Sequence, residues 1–136
     1  MSTEPATIAQ VVEQTKQYYD GAADTLYREI WGENIHLGLF ERDGEGLPEA
    51  NHRTNERCAA LAALQAGQEV LEVGCGYAAT ARYLASAIGC RVTATNISER
   101  ELAEARRLTG KAGLSERVSL AYGDFHGLGY DLSLIH

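Results

Sequence analysis

The sequence predicts an α/β fold: a sheet of three parallel strands with flanking helices, preceded by N-terminal helices. Three observations carry that prediction. Strand-like apolar runs recur at residues 69–73, 91–95 and 118–122, helical stretches fill both intervals between them, and a glycine-rich turn follows the first run. Strands separated by helices are joined by right-handed crossovers, and ligands in such sheets sit beyond the carboxyl ends of the strands. Glu72, Asn96 and Asp124 all fall at that edge.

The elements follow in order. Residues 1 to 6 are polar and expected to fray. From Thr7, the residues Ile8, Val11, Val12, Thr15, Tyr18 and Tyr19 recur at helical spacing, which predicts an amphipathic helix ending near Asp20 and Gly21. A second helix, Ala22 to Trp31, carries Leu26 and Ile30 on one side. Gly32 to Gly38 and the charged stretch Arg42 to Gly46 are loops. Pro48 suits the first turn of a third helix, which Ala50, Thr54, Cys58, Leu61 and Leu64 continue to a stop at Gly67. The stretch Glu69 to Thr80, EVLEVGCGYAAT, then reads as strand, tight turn and helix N-terminus. Tyr77 to Ile88 is alanine-rich and helical, and Gly89 ends it. Ser98, with Glu101 three residues on, forms a capping box for a helix that runs to about Lys111 and breaks at Gly113. The third strand, Val118 to Tyr122, leads into Gly123, Asp124 and Phe125.

A length of 136 residues with 45% hydrophobic content is one domain at most, with a modest core. The net charge of −7 and a pI near 5.0 disfavour a broad phosphate-binding surface, so neither nucleic acid nor an anionic membrane is the expected partner. No signal peptide is evident, and no apolar run approaches the roughly 20 residues that span a bilayer, so a cytoplasmic location is expected. Cys58, Cys75 and Cys90 are odd in number and lack C-x-x-C spacing, and His36, His52, His126 and His136 form no ligand pair with them. Neither disulfides nor a bound metal is expected.

Glycines after the first strand serve two ends: the turn needs backbone angles open chiefly to glycine, and a ligand can approach main chain that carries no Cβ. The turn therefore reads as a nucleotide cradle, and two patterns compete for it. Gly74, Gly76 and Ala79 fit G-x-G-x-x-G/A, which calls for an acid about 20 residues on to hold a dinucleotide's ribose; Asn96 stands there instead. The other pattern, E-x-G-x-G-x-A, includes Glu72, Gly74, Gly76 and Ala78. It resembles motif I of the class I S-adenosylmethionine-dependent methyltransferases, with Ala78 in place of the usual third glycine and expected to require a negative φ.

The phrases YYD, IWGENIHLGLFE, ANHRTNER, LEVGCGYAAT, VTATNIS and GDFHGL, in that order, are similar to the methyltransferases that form glycine betaine from sarcosine and dimethylglycine. They also resemble a wider group acting on amines, phenols and lipid-like acceptors. The resemblance implies a Rossmann-like class I methyltransferase fold and S-adenosyl-L-methionine as cofactor. Glu72 would sit at the methionine end, and Gly74 and Gly76 would turn main-chain N–H groups toward the cofactor. Asn96 would bond the ribose hydroxyls, and Asp124 and Phe125 would hold adenine. The expected cofactor-binding set also takes in Tyr18, Tyr19, Cys75 and Ile97. Tyr and Trp faces attract cations, so Tyr18, Tyr19 and Trp31 are candidates to close a chamber for a sulfonium donor. Trp31 and His36 are candidates for the acceptor side, whereas His126 reads as a solvated loop residue. No catalytic dyad is evident.

The class I sheet implied by the resemblance has seven strands, in the order 3-2-1-4-5-7-6, so the chain holds its N-terminal half. Residues 1–66 read as a helical lid on the substrate side, 67–131 as a partial cofactor-binding domain, and 132–136 (LSLIH) as a non-native tail. The expectation is a C-terminally truncated chain, inactive alone, whose parent methylates a small molecule such as sarcosine or dimethylglycine. A C- or O-methyltransferase, a non-catalytic nucleotide-binding module and an NAD-dependent oxidoreductase are the other readings.

Overall fold

A computed structural model describes residues 6–34, 36–124 and 126. Phe125 and the tail at 132–136 lie outside the described residues. Three parallel strands, β1 (Glu69–Val73), β2 (Arg91–Asn96) and β3 (Val118–Tyr122), form one sheet in the order β1-β2-β3, with Val70, Val92 and Val118 in register. Helices α1 (Ile8–Tyr19), α2 (Ala22–Trp31) and α3 (Leu47–Leu61) precede it. Helix α4 (Ala79–Tyr83) joins β1 to β2 and α5 (Glu99–Lys111) joins β2 to β3. The α/β class and strand order are those expected, and no described helix is long and apolar enough to cross a membrane.

The core lies between one face of the sheet and the connecting helices. Val70, Val92, Ala94 and Val118 meet Ala81, Leu84 and Ala85 from the first crossover and Leu102 and Ala105 from the second. Small residues on both sides let helix and sheet approach closely, so even a methylene's change in volume is felt there.

Local differences from the expected elements have identifiable causes. Helix α3 begins as expected: the Glu49 carboxylate accepts from the Gly46 N–H at 3.3 Å, and Pro48 sits in the first turn. It stops at Leu61 rather than at Gly67, because Ala63 takes a left-handed φ of +50° and the Leu64 N–H turns back to the Ala59 carbonyl at 3.1 Å. Leu64 then packs on the core from outside the helix, and Leu61 is 71% exposed. The packed side of α3 is Ala50, Asn51, Asn55 and Ala59, not the stripe through Cys58 and Leu61.

The helix expected from Tyr77 starts at Ala79, because Ala78 also adopts the left-handed conformation, with φ +57°, and not the negative φ expected of it. Its Cβ is fully buried in the core, and its N–H donates to the Cys75 carbonyl at 2.7 Å. Packing and hydrogen bonding hold an angle that costs an L-residue roughly 1–2 kcal/mol. Beyond Tyr83 the helix widens into a π turn over Leu84–Ile88, where Gly89 and Cys90 both donate to the Leu84 carbonyl at 3.1 Å. The capping box at α5 is half made. Ser98 Oγ accepts from the Glu101 N–H at 3.1 Å, but the Glu101 carboxyl turns to Asn96.

Candidate functional site

The glycine turn at the carboxyl end of β1 separates two clefts. Gly74 (φ +70°) and Gly76 (φ +52°) occupy conformations that favour glycine, and a Cβ at either would meet no atom of the described residues within 4 Å. The space beside their backbone is therefore open. The Cys75 N–H donates to the Thr95 carbonyl at 2.9 Å, leaning the turn onto β2, and Val73, Gly74 and Gly76 line both clefts.

The first cleft encloses about 340 Å³. Asn96, Ile97, Glu101, Asp124 and His126 line it, and Val11, Val12, Thr15 and Tyr19 of α1 form its roof. The second encloses about 430 Å³ on the other side of the turn, where Glu72, His36, Cys75, Asn55 and Thr80 are among the lining residues. The expected grouping of Glu72 with Asn96 and Asp124 is thus divided: the last two share a cleft with Ile97 and Tyr19, and Glu72 faces the second with His36 and Cys75. Tyr18 lines neither. It packs edge-to-face on Tyr19 at 5.3 Å and borders a small hollow with Asp24 and Tyr27. Trp31 is likewise absent from the lining of both clefts.

Asn96 is buried and its amide is engaged by the protein. Oδ1 accepts from the N–H groups of Ile97 (2.8 Å) and Ser98 (3.5 Å), and Nδ2 donates to Glu101 Oε2 and to the Gly76 carbonyl. The carboxyl in the first cleft thus belongs to Glu101, which sequence reading assigned to a cap. Its place one turn into a helix that starts at the ligand edge of the sheet was the available signal. Asp124 Oδ1 accepts from the His126 N–H at 2.7 Å, an Asx-type turn that fixes the loop after β3.

Burial raises the Glu101 carboxyl to about 7; the bond from Asn96 opposes the rise, and Asp24 beside it adds to it. Burial likewise raises Glu72 to about 7, against a backbone hydrogen bond at Ala81 and the charge of Arg82. Burial, with the negative field of Glu72 and Glu101, pushes the Cys75 thiol up to about 12, so the thiol stays protonated and unreactive. Among the described residues, Glu72 Oε2 and His36 Nε2 are buried with no hydrogen-bond partner. His36 Nδ1 lies 3.3 Å from the Leu37 carbonyl; with the proton assigned there, Nε2 presents a lone pair. Above about pH 7, with Glu72 ionised, the second cleft therefore offers two unmatched acceptors, an arrangement suited to a ligand with N–H groups.

These carboxyls set an expected pH dependence. Between about 4.5 and about 7 the folded chain keeps protons on Glu72 and Glu101 that the unfolded chain releases, so stability falls as pH rises through that window. Each displacement corresponds to on the order of 3 kcal/mol. Glu104, held down to about 2 by Arg107 and Arg28, acts in the opposite sense below about 4.5. Thermal melts should give a higher Tm at pH 5.5 than at pH 8, with the difference reduced in Glu72→Gln. A Tm that rises between those values would contradict the assignment.

Four known proteins or families resemble the chain. The sequence profile of the mycolic acid cyclopropane synthetase family matches residues 7–133. A sarcosine/dimethylglycine N-methyltransferase of Halorhodospira halochloris is 40% identical over 126 residues, which are 90% of this chain and 45% of that protein. The [4+2]-cyclase SpnF superposes with a TM-score of 0.79 at 30% identity, covering 88% of this chain and 45% of its own. The cyclopropane synthase MmaA2 from Mycobacterium tuberculosis, at 21% identity and a TM-score of 0.72, shares the fold, covering 81% of this chain and 39% of its own. The chain spans less than half the length of each of these proteins.

Proposed function

The chain belongs to the mycolic acid cyclopropane synthetase family, and from that premise we propose that it is the cofactor-binding half of an S-adenosylmethionine-dependent methyltransferase acting on a small-molecule amine. One observation carries the reading: the glycine turn is the shared wall of two clefts, one with polar groups placed for a nucleoside and one with unmatched acceptors. The open space beside Gly74 and Gly76 fits such a cofactor, since a Cβ at either would project into it. Ile97 and Asp124 would hold the nucleoside under Tyr19, and Asn96 would act through Glu101. Glu72 would stand at the methionine end, across the turn. Residues 1–66 act in this reading as roof and acceptor side, and 67–131 as the cofactor-binding part.

The cofactor, when bound, supplies a methyl group already activated on a sulfonium. Transfer is then an in-line displacement, in which alignment in a closed site can supply several kcal/mol. A neutral amine needs no general base, and either Glu72 Oε2 or His36 Nε2 could accept the single N–H of a secondary amine such as sarcosine while orienting it. The Halorhodospira relative, named for sarcosine and dimethylglycine, supports an amine acceptor; the family's name favours carbon transfer to a lipid as the alternative. Transfer of a labelled methyl group separates them. Labelling of sarcosine or dimethylglycine is expected, and labelling confined to phenols or unsaturated fatty acids would overturn the amine assignment.

A further inference from the structure

The Glu101 carboxyl is one half of a buried pair. Asp24, on α2, is 3% exposed, as is Glu101, and the two side chains are within hydrogen-bonding reach. Asp24 Oδ2 accepts from the Tyr77 hydroxyl at 2.5 Å, whereas Asp24 Oδ1 is buried and has no donor among the described residues. Glu101 Oε2 is already taken by Asn96 Nδ2. A hydrogen bond between two carboxyl groups requires a proton on one of them. By elimination the bond joins Glu101 Oε1 to Asp24 Oδ1, and the upward shift of Glu101 by burial and by Asp24 assigns the proton to Glu101.

The position of this bond gives it a consequence. Helix α2 continues from α1, the roof of the first cleft, and its start is fastened to the start of α5. Ser98 Oγ donates to Asp20 Oδ1 at 2.6 Å, and Arg100 donates to the Gly21 carbonyl at 2.9 Å. We propose that Asp24 is a positioning residue of the cofactor cleft: by accepting the Glu101 proton it fastens the helical roof over the cleft, and ionisation of Glu101 loosens it.

The groups facing the pair agree with this. Asp20 from the α1–α2 turn, Tyr77 and Cys75 from the glycine turn, and Glu104 with Arg100 along α5 surround it. Arg28 is spent on Glu104 and on the face of the Tyr77 ring at 4.9 Å. A second negative charge at Glu101 would therefore meet Asp24 and Asp20, both of which oppose its ionisation. Burial and Asp24 raise the proton affinity of Glu101, in the direction this arrangement requires.

This inference rests on the first cleft being the cofactor site, and the tests keep the two apart. In the wild-type chain and in Glu72→Gln, which lacks the other raised carboxyl, infrared difference spectra should show a protonated carboxyl at pH 6 that is lost by pH 8.5. With carboxyl-labelled glutamate, the upper carbon-NMR titration midpoint assigned to Glu101 should fall by at least about one pH unit in Asp24→Asn. S-adenosylhomocysteine should bind the wild type about tenfold more weakly at pH 8.5 than at pH 6, a difference that Asp24→Asn flattens. Absence of the protonated band in either chain, or an unchanged midpoint in Asp24→Asn, would overturn the proposal. Failure of S-adenosylhomocysteine to bind at either pH, with the band and the midpoint shift intact, would remove the cofactor reading and leave the carboxyl pair standing.

Discussion

Gly38→Ala is expected to destabilise the chain by about 2–3 kcal/mol, the cost of overpacking a filled space. A Cβ at Gly38 would lie 2.6 Å from Ala50 Cβ and 3.1 Å from both the Ala50 carbonyl carbon and Asn51 Oδ1. Something must move, and little there can. The Leu39 N–H donates to the Ala50 carbonyl at 3.0 Å and to Thr54 Oγ1 at 3.1 Å, and Thr54 Oγ1 also donates to the Leu37 carbonyl at 2.9 Å. Arg53 ties the Leu39 carbonyl to Glu45, in a second stitch between loop and helix. Shifting the loop by the required distance breaks this set and displaces His36 from the second cleft. Gly44→Ala is the control, because Gly44 has φ +79° with open space around it and should cost only about 1 kcal/mol of backbone strain. Urea unfolding of both variants, with the His36 ring resonances as a local reporter, checks the expectation. Equal destabilisation in the two variants would contradict it.

Gly74→Ala and Gly76→Ala should show the opposite division, with a modest loss of stability and a large loss of binding. Neither Cβ would touch a described residue, so the expected cost in folding is the left-handed strain, about 1–2 kcal/mol each. Both Cβ atoms would, however, project toward the clefts. Affinity for S-adenosylhomocysteine should fall at least about a hundredfold, since a ligand lying on the main chain loses hydrogen bonds and meets a methyl group. Calorimetry alongside thermal melts separates the two effects. Weakened folding with unchanged affinity would mean that these glycines serve the turn only.

The sheet and the first two helices were legible because their signals are local. Alternating or continuous apolar runs marked all three strands, and Asp20–Gly21 and Gly32 closed α1 and α2 where expected. The end of α3 was not legible: Leu64 continues the helical period, and nothing about Ala63 announces a left-handed residue. Ala78 misled for the same reason, since tertiary burial holds an angle that its residue type disfavours. In the site, the pattern found the turn and its edge but not the direction of each side chain. The Cys75–Thr95 bond leans the turn onto β2, so Glu72 on the outer strand β1 faces a different cleft from Asn96. Glu101 had a sufficient local explanation as a cap, and only the fold shows it between Asn96 and Asp24.

The claim beneath these expectations is that the first cleft receives a sulfonium nucleoside. Amide chemical-shift mapping of the chain with S-adenosylhomocysteine, and separately with NAD, tests it most directly. The expected result is a set of shifts at Gly74, Gly76, Ile97, Glu101 and Asp124 with the first ligand and none there with NAD. Shifts at those amides with NAD alone, or a bound S-adenosylhomocysteine that leaves all five unmoved, would contradict it.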